Sequence, residues 1–214
     1  MQNNISKPEN FHDESFQETA SSGILPCSAV FLDRDGVINN DSEDYIKSWP
    51  EFKFIPGSIE AIRLLTVNGL NPIIITNQSL INRNMISINA LNRIHDMMKK
   101  KIENKGGRIK DIFFCPHSPE DNCECRKPKP GLIHQAESKY NLRLESAVMI
   151  GDSAKDIECA KNAGCNSVLV KTGNGKNAMA ELKNKHLHPG HIANNLYEAV
   201  LWLLSRKGAD CLIS

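Results

Sequence analysis

Acidic and polar side chains follow short apolar segments of the chain, close to the point where each segment ends. Asp33 and Asp35 follow the first segment, Thr76 the second and Asp152 the fourth, while Lys127 comes a little after the third. Crowded carboxylates repel one another unless a cation neutralises them, and oxygen ligands suit Mg²⁺. A carboxylate nucleophile, a metal ion, a lysine and a hydroxyl donor are the groups that phosphoryl transfer requires. The spare carboxylate could serve as general acid and then as general base.

A second set of possible metal ligands lies within one short polar segment. Cys115, His117, Cys123 and Cys125 supply three thiols and one imidazole, which is enough for a closed tetrahedral zinc site. Because the ligand set is full, we expect a zinc ion here to be structural rather than catalytic. Unligated thiols or a disulfide are the alternatives, and in a reducing cytosol the pattern favours a metal over a disulfide.

These groups can meet only if the apolar segments form one sheet. Strands are predicted over residues 29–32, 72–75, 111–114, 147–150 and 167–170, with a possible short one over 191–193. Helical periodicity is found over residues 58–68, 84–104, 131–140, 154–163, 177–183 and 196–204. The alternation predicts an α/β fold, a Rossmann-like parallel sheet with helices on both faces. Ligands bind at the carboxyl ends of such strands, where the polar residues lie.

Composition bounds the remaining possibilities. The chain has 214 residues, is 40% hydrophobic, and has a formal net charge of +1 from 26 basic and 25 acidic side chains. We predict a flexible tail over residues 1–26, which lack apolar periodicity, and a single domain over residues 27–214. The balanced charge argues against a nucleic-acid partner, and no apolar run approaches the ~18–20 residues that span a bilayer. We therefore expect a cytoplasmic protein without a membrane partner.

The motifs resemble those of a known superfamily. The segment Phe-Leu-Asp-Arg-Asp-Gly-Val-Ile-Asn, residues 31–39, is similar to the first motif of the haloacid dehalogenase superfamily. Thr-Asn-Gln at 76–78, Lys127, and Gly-Asp-Ser at 151–153 with Asp156 resemble its second, third and fourth motifs. The combination with Cys-Arg-Lys-Pro at 125–128 is similar to a narrower branch that contains heptose bisphosphate phosphatases and histidinol-phosphate phosphatases.

This resemblance implies a Mg²⁺-dependent phosphatase that forms an aspartyl-phosphate intermediate. Asp33 would attack phosphorus, and Asp35 would protonate the leaving oxygen and then activate water. Thr76 and Lys127 would stabilise the phosphoryl group. Asp33 and Asp152, with the backbone carbonyl of Asp35, would hold Mg²⁺.

The branch also has a zinc-binding loop where the cysteines lie, with ligands matching Cys115, His117, Cys123 and Cys125. For Asp156 two interpretations stay open: a supporting contact behind the site, or a residue of the first helical turn that suits the helix dipole.

The loops bear on the substrate. Residues 36–57 are too few for a separate cap domain, so we expect a capless site shaped by residues 36–57, 79–84 and 115–131. Residues 79–84 read Ser-Leu-Ile-Asn-Arg-Asn, where heptose enzymes usually have Ser-Gly-Ile-Ala-Arg-Gly. Arg83 could bind a second phosphate. That favours hydrolysis of D-glycero-D-manno-heptose 1,7-bisphosphate to the 1-phosphate, with histidinol phosphate as the alternative substrate.

We expect substrate contacts from six residues: Arg34, Asn77, Gln78, Ser79, Arg83 and Arg126. A non-enzymatic binding module is the competing class, but such a relic would be expected to lose a nucleophile or a metal ligand. The resemblance further implies a monomer acting on a small phosphorylated molecule.

Overall fold

The computed structural model describes residues 29–70 and 72–209. Its sheet has six parallel strands: β1 (Val30–Leu32), β2 (Ile73–Asn77), β3 (Asp111–Cys115), β4 (Val148–Gly151), β5 (Asn166–Val170) and β6 (His191–Ala193). The strand order is β3-β2-β1-β4-β5-β6. The direction of the order reverses between β1 and β4, and such a switch point is where open α/β sheets bind ligands. The predicted tail over residues 1–26 lies outside the described residues.

Helices cover both faces of the sheet, as predicted. They are α1 (Ser58–Val67), α2 (Ile88–Glu103), α3 (Gly131–Tyr140), α4 (Ala154–Ala163), α5 (Gly175–Asn184) and α6 (Leu196–Ala209). Successive residues of a strand point to opposite faces. Leu32 therefore packs into a core with residues of α1, α2 and α6, while Phe31 packs into a second core with residues of α3 and α4.

The predicted strands agree with the observed ones to within two residues, and the possible sixth strand is present. The prediction for α2 was wrong at its start, since the helix begins at Ile88 rather than Asn84. Ser87 caps it by accepting a hydrogen bond from the backbone N–H of Ala90, and Asn84 has left-handed backbone with φ 54°. Helix α6 continues to Ala209, beyond the predicted end at Leu204.

The connection from β1 to α1 is a compact loop rather than a domain. It contains one short 3₁₀ helix, Trp49–Glu51, and its aromatic side chains Trp49, Phe52 and Phe54 pack against one another. The prediction of a capless fold is thus confirmed. Within the described ranges, no helix is both long enough and apolar enough to cross a membrane.

Candidate active site and metal centre

Three aspartates meet where β1 and β4 end. The backbone N–H of Asp33 donates to the carbonyl of Ile150, which ties the end of β1 to β4. Asp152 follows β4, and Asp156 lies in the first turn of α4. One carboxylate oxygen from each aspartate lies within 4.8 Å of the others. The switch point of the sheet therefore gathers three acidic groups at one place.

A buried lysine lies beside two of these aspartates. The Nζ atom of Lys127 is 2.9 Å from Oδ1 of Asp33 and 2.6 Å from Oδ1 of Asp156, and it donates to the carbonyl of Ile75 at 2.9 Å. Burial opposes the charge of this lysine, but the two carboxylates outweigh burial and raise the pKa of Lys127. The lysine is therefore a fixed cation facing Asp33.

Asp156 is fully buried and has a supporting position. Its Oδ2 accepts hydrogen bonds from the backbone N–H and the hydroxyl of Ser153, and its Oδ1 pairs with Lys127. It therefore holds the lysine in place while it caps α4. Of the two interpretations of Asp156, the contact with Lys127 favours the supporting contact behind the site.

Asp33 and Asp152 are costly to ionise in this arrangement. Burial, with the nearby charges of Asp156 and Asp35, raises the pKa of Asp33 to about 7 against the opposing effect of Lys127. Burial, followed by the charges of Asp33 and Asp156, raises the pKa of Asp152 to about 8. A divalent cation would relieve this repulsion, and an all-oxygen ligand set suits magnesium. The two carboxylates therefore fit a magnesium ion.

Two glycines leave room for the carboxylate of Asp152. A Cβ atom on Gly36 or on Gly173 would overlap with Oδ2 of Asp152, and both glycines have positive φ. The same oxygen accepts a hydrogen bond from the backbone N–H of Asn174 at 2.8 Å, and the hydroxyl of Thr172 donates to the carbonyl of Gly36. The loop after β5 thus closes over the aspartates, a contribution that the sequence motifs did not reveal.

Asp35 has a separate environment from the three clustered aspartates. Its carboxylate accepts hydrogen bonds from Nε and Nη2 of Arg34, from Nδ2 of Asn39 at 2.8 Å and from Nε2 of Gln78 at 2.8 Å. Burial raises its pKa, but the charge of Arg34 and these donors outweigh burial and lower the pKa of Asp35 overall. Asp35 is therefore an ionised carboxylate held by three side chains.

The second motif connects these parts. Nε2 of Gln78 donates both to Asp35 and to the hydroxyl oxygen of Thr76, which leaves the hydroxyl hydrogen of Thr76 free to donate. Asn77 exchanges two hydrogen bonds with the backbone of Lys127. Asn77 therefore positions the segment that carries the lysine.

These groups surround one cavity of about 420 Å³. Its lining includes Asp33, Asp35, Asp152, Lys127 and residues 76–78 of the second motif. The rest of the lining consists of Arg34, residues 41–43, 45 and 46 of the loop between β1 and α1, and Arg126, Ser153, Lys155, Asn174 and Glu181. Four of the six residues expected to contact substrate line it: Arg34, Asn77, Gln78 and Arg126. Arg34, however, has a buried guanidinium already paired with Asp35.

Ser79 and Arg83 do not belong to this lining. Ser79 is buried, and Arg83 is exposed on a loop that turns toward the cysteine segment. Asn82 fixes that direction, because its side chain donates to Asp121 at 2.7 Å and its backbone N–H donates to the carbonyl of Pro116. Lys155, which sequence reasoning missed, is an exposed cation that does line the cavity. Lys155 lies three residues after Asp152, at the start of a helix, and this position in the sequence could have indicated that it lies near the site.

The four predicted zinc ligands come together next to β3. Sγ of Cys125 lies 3.3 Å from Sγ of Cys115 and 3.3 Å from Nδ1 of His117, and Sγ of Cys123 lies 3.4 Å from that of Cys125. These separations are too long for a disulfide, whose S–S bond is ~2.05 Å. A tetrahedral site with zinc–sulfur bonds of ~2.3 Å has edges of about 3.8 Å. The cluster therefore has the composition and size of a Cys₃His zinc site.

The segment around this cluster is braced by polar contacts. Asp121 accepts from the backbone N–H and the hydroxyl of Ser118 to close a short turn, and Nη1 of Arg126 donates to the carbonyl of His117. Burial is the main cause that raises the pKa of the Cys115 thiol, so a thiolate there needs a cation.

Known proteins resemble this chain along most of their length. A family model described as "HAD-hyrolase-like" matches residues 124–199. The D-glycero-beta-D-manno-heptose-1,7-bisphosphate 7-phosphatase of Pseudomonas aeruginosa is 45% identical over 148 residues, which cover 69% of this chain and 83% of that one. The enzyme of the same name from Bordetella bronchiseptica is 41% identical over 152 residues, covering 71% and 85%. That from Helicobacter pylori is 37% identical over 181 residues, covering 84% and 99%.

Solved structures resemble the chain in the same way as the sequence relatives do. The crystal structure of D,D-heptose 1,7-bisphosphate phosphatase from B. bronchiseptica, complexed with magnesium and phosphate, has a TM-score of 0.79 and 38% identity, covering 83% of this chain and 98% of that chain. A 3-deoxy-D-manno-octulosonate 8-phosphate phosphatase from Moraxella catarrhalis, at 15% identity and a TM-score of 0.54, shares the fold alone.

Proposed function

The chain belongs to the D-glycero-beta-D-manno-heptose-1,7-bisphosphate 7-phosphatases of the haloacid dehalogenase superfamily, and we propose that it removes the 7-phosphate of that sugar bisphosphate and leaves the 1-phosphate. The observation that carries this proposal is the placement of Asp33, Lys127 and Asp152 around one cavity at the switch point of the sheet.

In the first step, Asp33 is the nucleophile. An oxygen of its carboxylate forms a bond to phosphorus while the bond between phosphorus and the sugar oxygen breaks, and Asp35 gives that oxygen a proton. Because its three donors keep Asp35 ionised at rest, the proton must be gained with the substrate. The charge of a phosphate bound nearby raises the proton affinity of Asp35.

In the second step, Asp35 is the base. It takes a proton from a water molecule whose oxygen bonds to phosphorus, the bond between phosphorus and Asp33 breaks, and inorganic phosphate leaves. The ammonium of Lys127 and the hydroxyl of Thr76 stabilise the phosphoryl oxygens in both steps. Asp156 acts through Lys127, which it holds toward Asp33.

Magnesium is the proposed cofactor, held by Asp33, Asp152 and the backbone carbonyl of Asp35. It supplies positive charge that stabilises the phosphoryl oxygens. The proposal is supported by the raised pKa values of Asp33 and Asp152, which indicate a place where a cation is needed.

For the second phosphate of the substrate we propose Arg126 and Lys155 in place of Arg83. Both line the cavity, whereas Arg83 does not. Two cations at the cavity wall suit a bisphosphate better than a substrate with one phosphate. Histidinol phosphate, the alternative, would find its ammonium group matched by the carboxylates of Asp41, Glu43 and Glu181, which line the same cavity. The relatives at 41–45% identity, however, are named for the bisphosphate.

Zinc at Cys115, His117, Cys123 and Cys125 is proposed as a structural ion that orders residues 115–131. Reduced thiols are needed for it, which fits a reducing compartment such as the cytoplasm. We also propose a monomer, which size-exclusion chromatography with light scattering would test.

The test of the function is phosphate release with Mg²⁺ from heptose 1,7-bisphosphate and from histidinol phosphate at equal concentration. We expect a strong preference for the bisphosphate, with one phosphate lost per molecule. Lys155→Met should raise KM for the bisphosphate more than KM for a monophosphate. Preference for histidinol phosphate would overturn the substrate assignment and leave the mechanism in place.

A further inference from the structure

A buried histidine lies behind the proposed acid–base carboxylate, outside every motif considered above. His95 is on α2, 4% exposed, and its ring packs edge-on against Phe114 of β3 with 5.9 Å between ring centroids. Its Nε2 atom lies 3.1 Å from Nη1 of Arg34. The side chain is thus in contact with the cation that holds Asp35.

The protonation of this contact follows from the chemistry of the partners. A guanidinium can only donate hydrogen bonds, so Nε2 of His95 must accept. The ring is therefore neutral, with its hydrogen on Nδ1. A protonated ring would place a donor against a donor beside Arg34. The contact thus requires one tautomer of His95.

The guanidinium of Arg34 is surrounded on several sides. Nε and Nη2 face Asp35 at 2.8–3.2 Å, Nη1 faces His95, and the ring of Phe52 lies against it with its centroid 6.0 Å away. Arg34 is 1% exposed, so its orientation depends on these partners rather than on water. His95 supplies the acceptor on the side opposite Asp35.

We propose that His95 is a positioning residue for the reaction: by accepting from Arg34, it fixes the fork of Arg34 on Asp35 and so fixes the general acid and base. This inference rests on the proposed function. His95 touches neither the substrate nor the reacting atoms. Its effect is expected on steps in which Asp35 moves a proton, and not on substrate affinity.

The test compares two substitutions of similar size. His95→Gln keeps a carbonyl acceptor that can reach Nη1 of Arg34, while His95→Leu fills similar space without an acceptor. For His95→Leu we expect kcat on the sugar bisphosphate to fall by about 10- to 100-fold with KM changed little, as for a small misplacement of a reacting group. His95→Gln should recover most of that loss.

A chemical probe separates the two half-reactions. para-Nitrophenyl phosphate has a good leaving group that needs no general acid in the first step, while the second step still needs Asp35 as base. His95→Leu should therefore release a burst of about one nitrophenolate per enzyme followed by slow turnover, because the phosphoryl-enzyme accumulates. Wild type should show a smaller burst relative to its steady rate.

Met98→Ala provides the matched control for the stability of α2. Met98 is fully buried one turn after His95 and packs in the apolar core on that side of the sheet. It should lower the melting temperature as much as His95→Leu or more, while kcat stays near that of wild type.

Equal losses of kcat in His95→Gln and His95→Leu, or a loss in Met98→Ala that follows its melting temperature, would overturn the positioning role. So would a His95→Leu enzyme with wild-type kcat. An inactive wild type on every phosphate would instead contradict the proposed function, so the two failures are distinguishable.

Discussion

The aspartate cluster and the cysteine–histidine cluster offset their negative charge in different ways. The clustered aspartates have a protein cation of their own, since Lys127 lies within 3 Å of Asp33 and Asp156. Asp33 and Asp152 line an open cavity, with Asp156 buried behind them. The cysteines and His117 lie against one another at 3.3–3.7 Å, held by short polar turns.

The difference indicates which cluster can change its occupants. A site that already contains a lysine stays folded while a metal ion and a phosphate come and go, because part of the repulsion is always offset. A set of thiols without a neighbouring lysine would depend on a bound metal ion, here the proposed zinc, for order. We therefore expect substitutions at Asp33 and Asp152, which face the cavity, to lower activity, and loss of metal at the cysteines to lower stability.

The largest effect is expected for Asp33→Asn. An amide cannot form the phosphoryl intermediate, so kcat should fall by at least about 10⁴-fold, while the melting temperature stays close to that of wild type. Kinetics and thermal unfolding of the same preparation check both parts. Wild-type-like turnover would remove Asp33 from the role of nucleophile.

Asp156→Asn should show a smaller loss of activity and a clear loss of stability. Removing the carboxylate leaves Lys127 with Asp33 alone, so we expect kcat to fall about 10²-fold and stability to drop by roughly 3 kcal/mol, typical of a broken buried pair. Glu158→Gln is the control on the same helix, because Glu158 pairs with Lys185 at the surface. If Asp156→Asn behaves like this control, Asp156 does not position the lysine.

Removal of zinc tests the comparison at the cysteine cluster. If zinc is present at ~100 times its dissociation constant, it stabilises the folded chain by about 2.7 kcal/mol. For a chain of this size, its loss lowers the melting temperature by roughly 5–11 °C. Calorimetry before and after chelation, with Mg²⁺ restored, measures this shift, and zinc content is checked by elemental analysis. An unchanged melting temperature with zinc removed contradicts a structural ion.

The smallest effect concerns pH and His95. Burial, then the charge of Arg34 and that of Lys99, lowers the pKa of His95 to about 3, against the opposing effect of Asp35. The imidazole of His95 therefore binds a proton more readily in the unfolded chain than in the folded one. The contribution of neutral His95 to the free energy of unfolding is fully present above its unfolded pKa of ~6.5 and is lost as the pH falls toward 3.

Between pH 7.5 and pH 5 that loss amounts to about 2 kcal/mol for this one group. Denaturant unfolding of wild type and His95→Gln at both pH values isolates it from the other acidic groups. A difference between the two proteins that does not change with pH would show that His95 is not held neutral.

The sequence predicted the positions of the strands and the grouping of motif residues, because strand ends and buried apolar runs are local patterns. It did not predict where Arg83 lies. That depends on Asn82 bonding to Asp121, a contact between two loops that no spacing shows. The expected contact between Arg34 and substrate depended on side-chain direction in the same way, since Arg34 turns back onto Asp35.

The loop of residues 79–84 shows a further limit. Leu80 and Asn84 occupy positions where related sequences have glycine. Asn84 takes the left-handed backbone that Asn tolerates, with φ 54°, whereas Leu80 is fully buried and has no positive φ. Of the two positions where glycine is replaced, only position 84 therefore has the left-handed backbone that glycine favours.

The hydroxyl of Thr172 that donates to the carbonyl of Gly36 joins residues 136 positions apart, whereas Cys115 and Cys125 are separated by ten. During synthesis on the ribosome, the cysteine segment could bind the proposed zinc ion soon after it emerges. The proposed active site at the ends of β1 and β4 can form only after β4, β5 and the loop after β5 have been synthesised and have packed next to β1. A nascent chain that stalls before Thr172 could therefore already carry a metal and yet be unable to hydrolyse a phosphate.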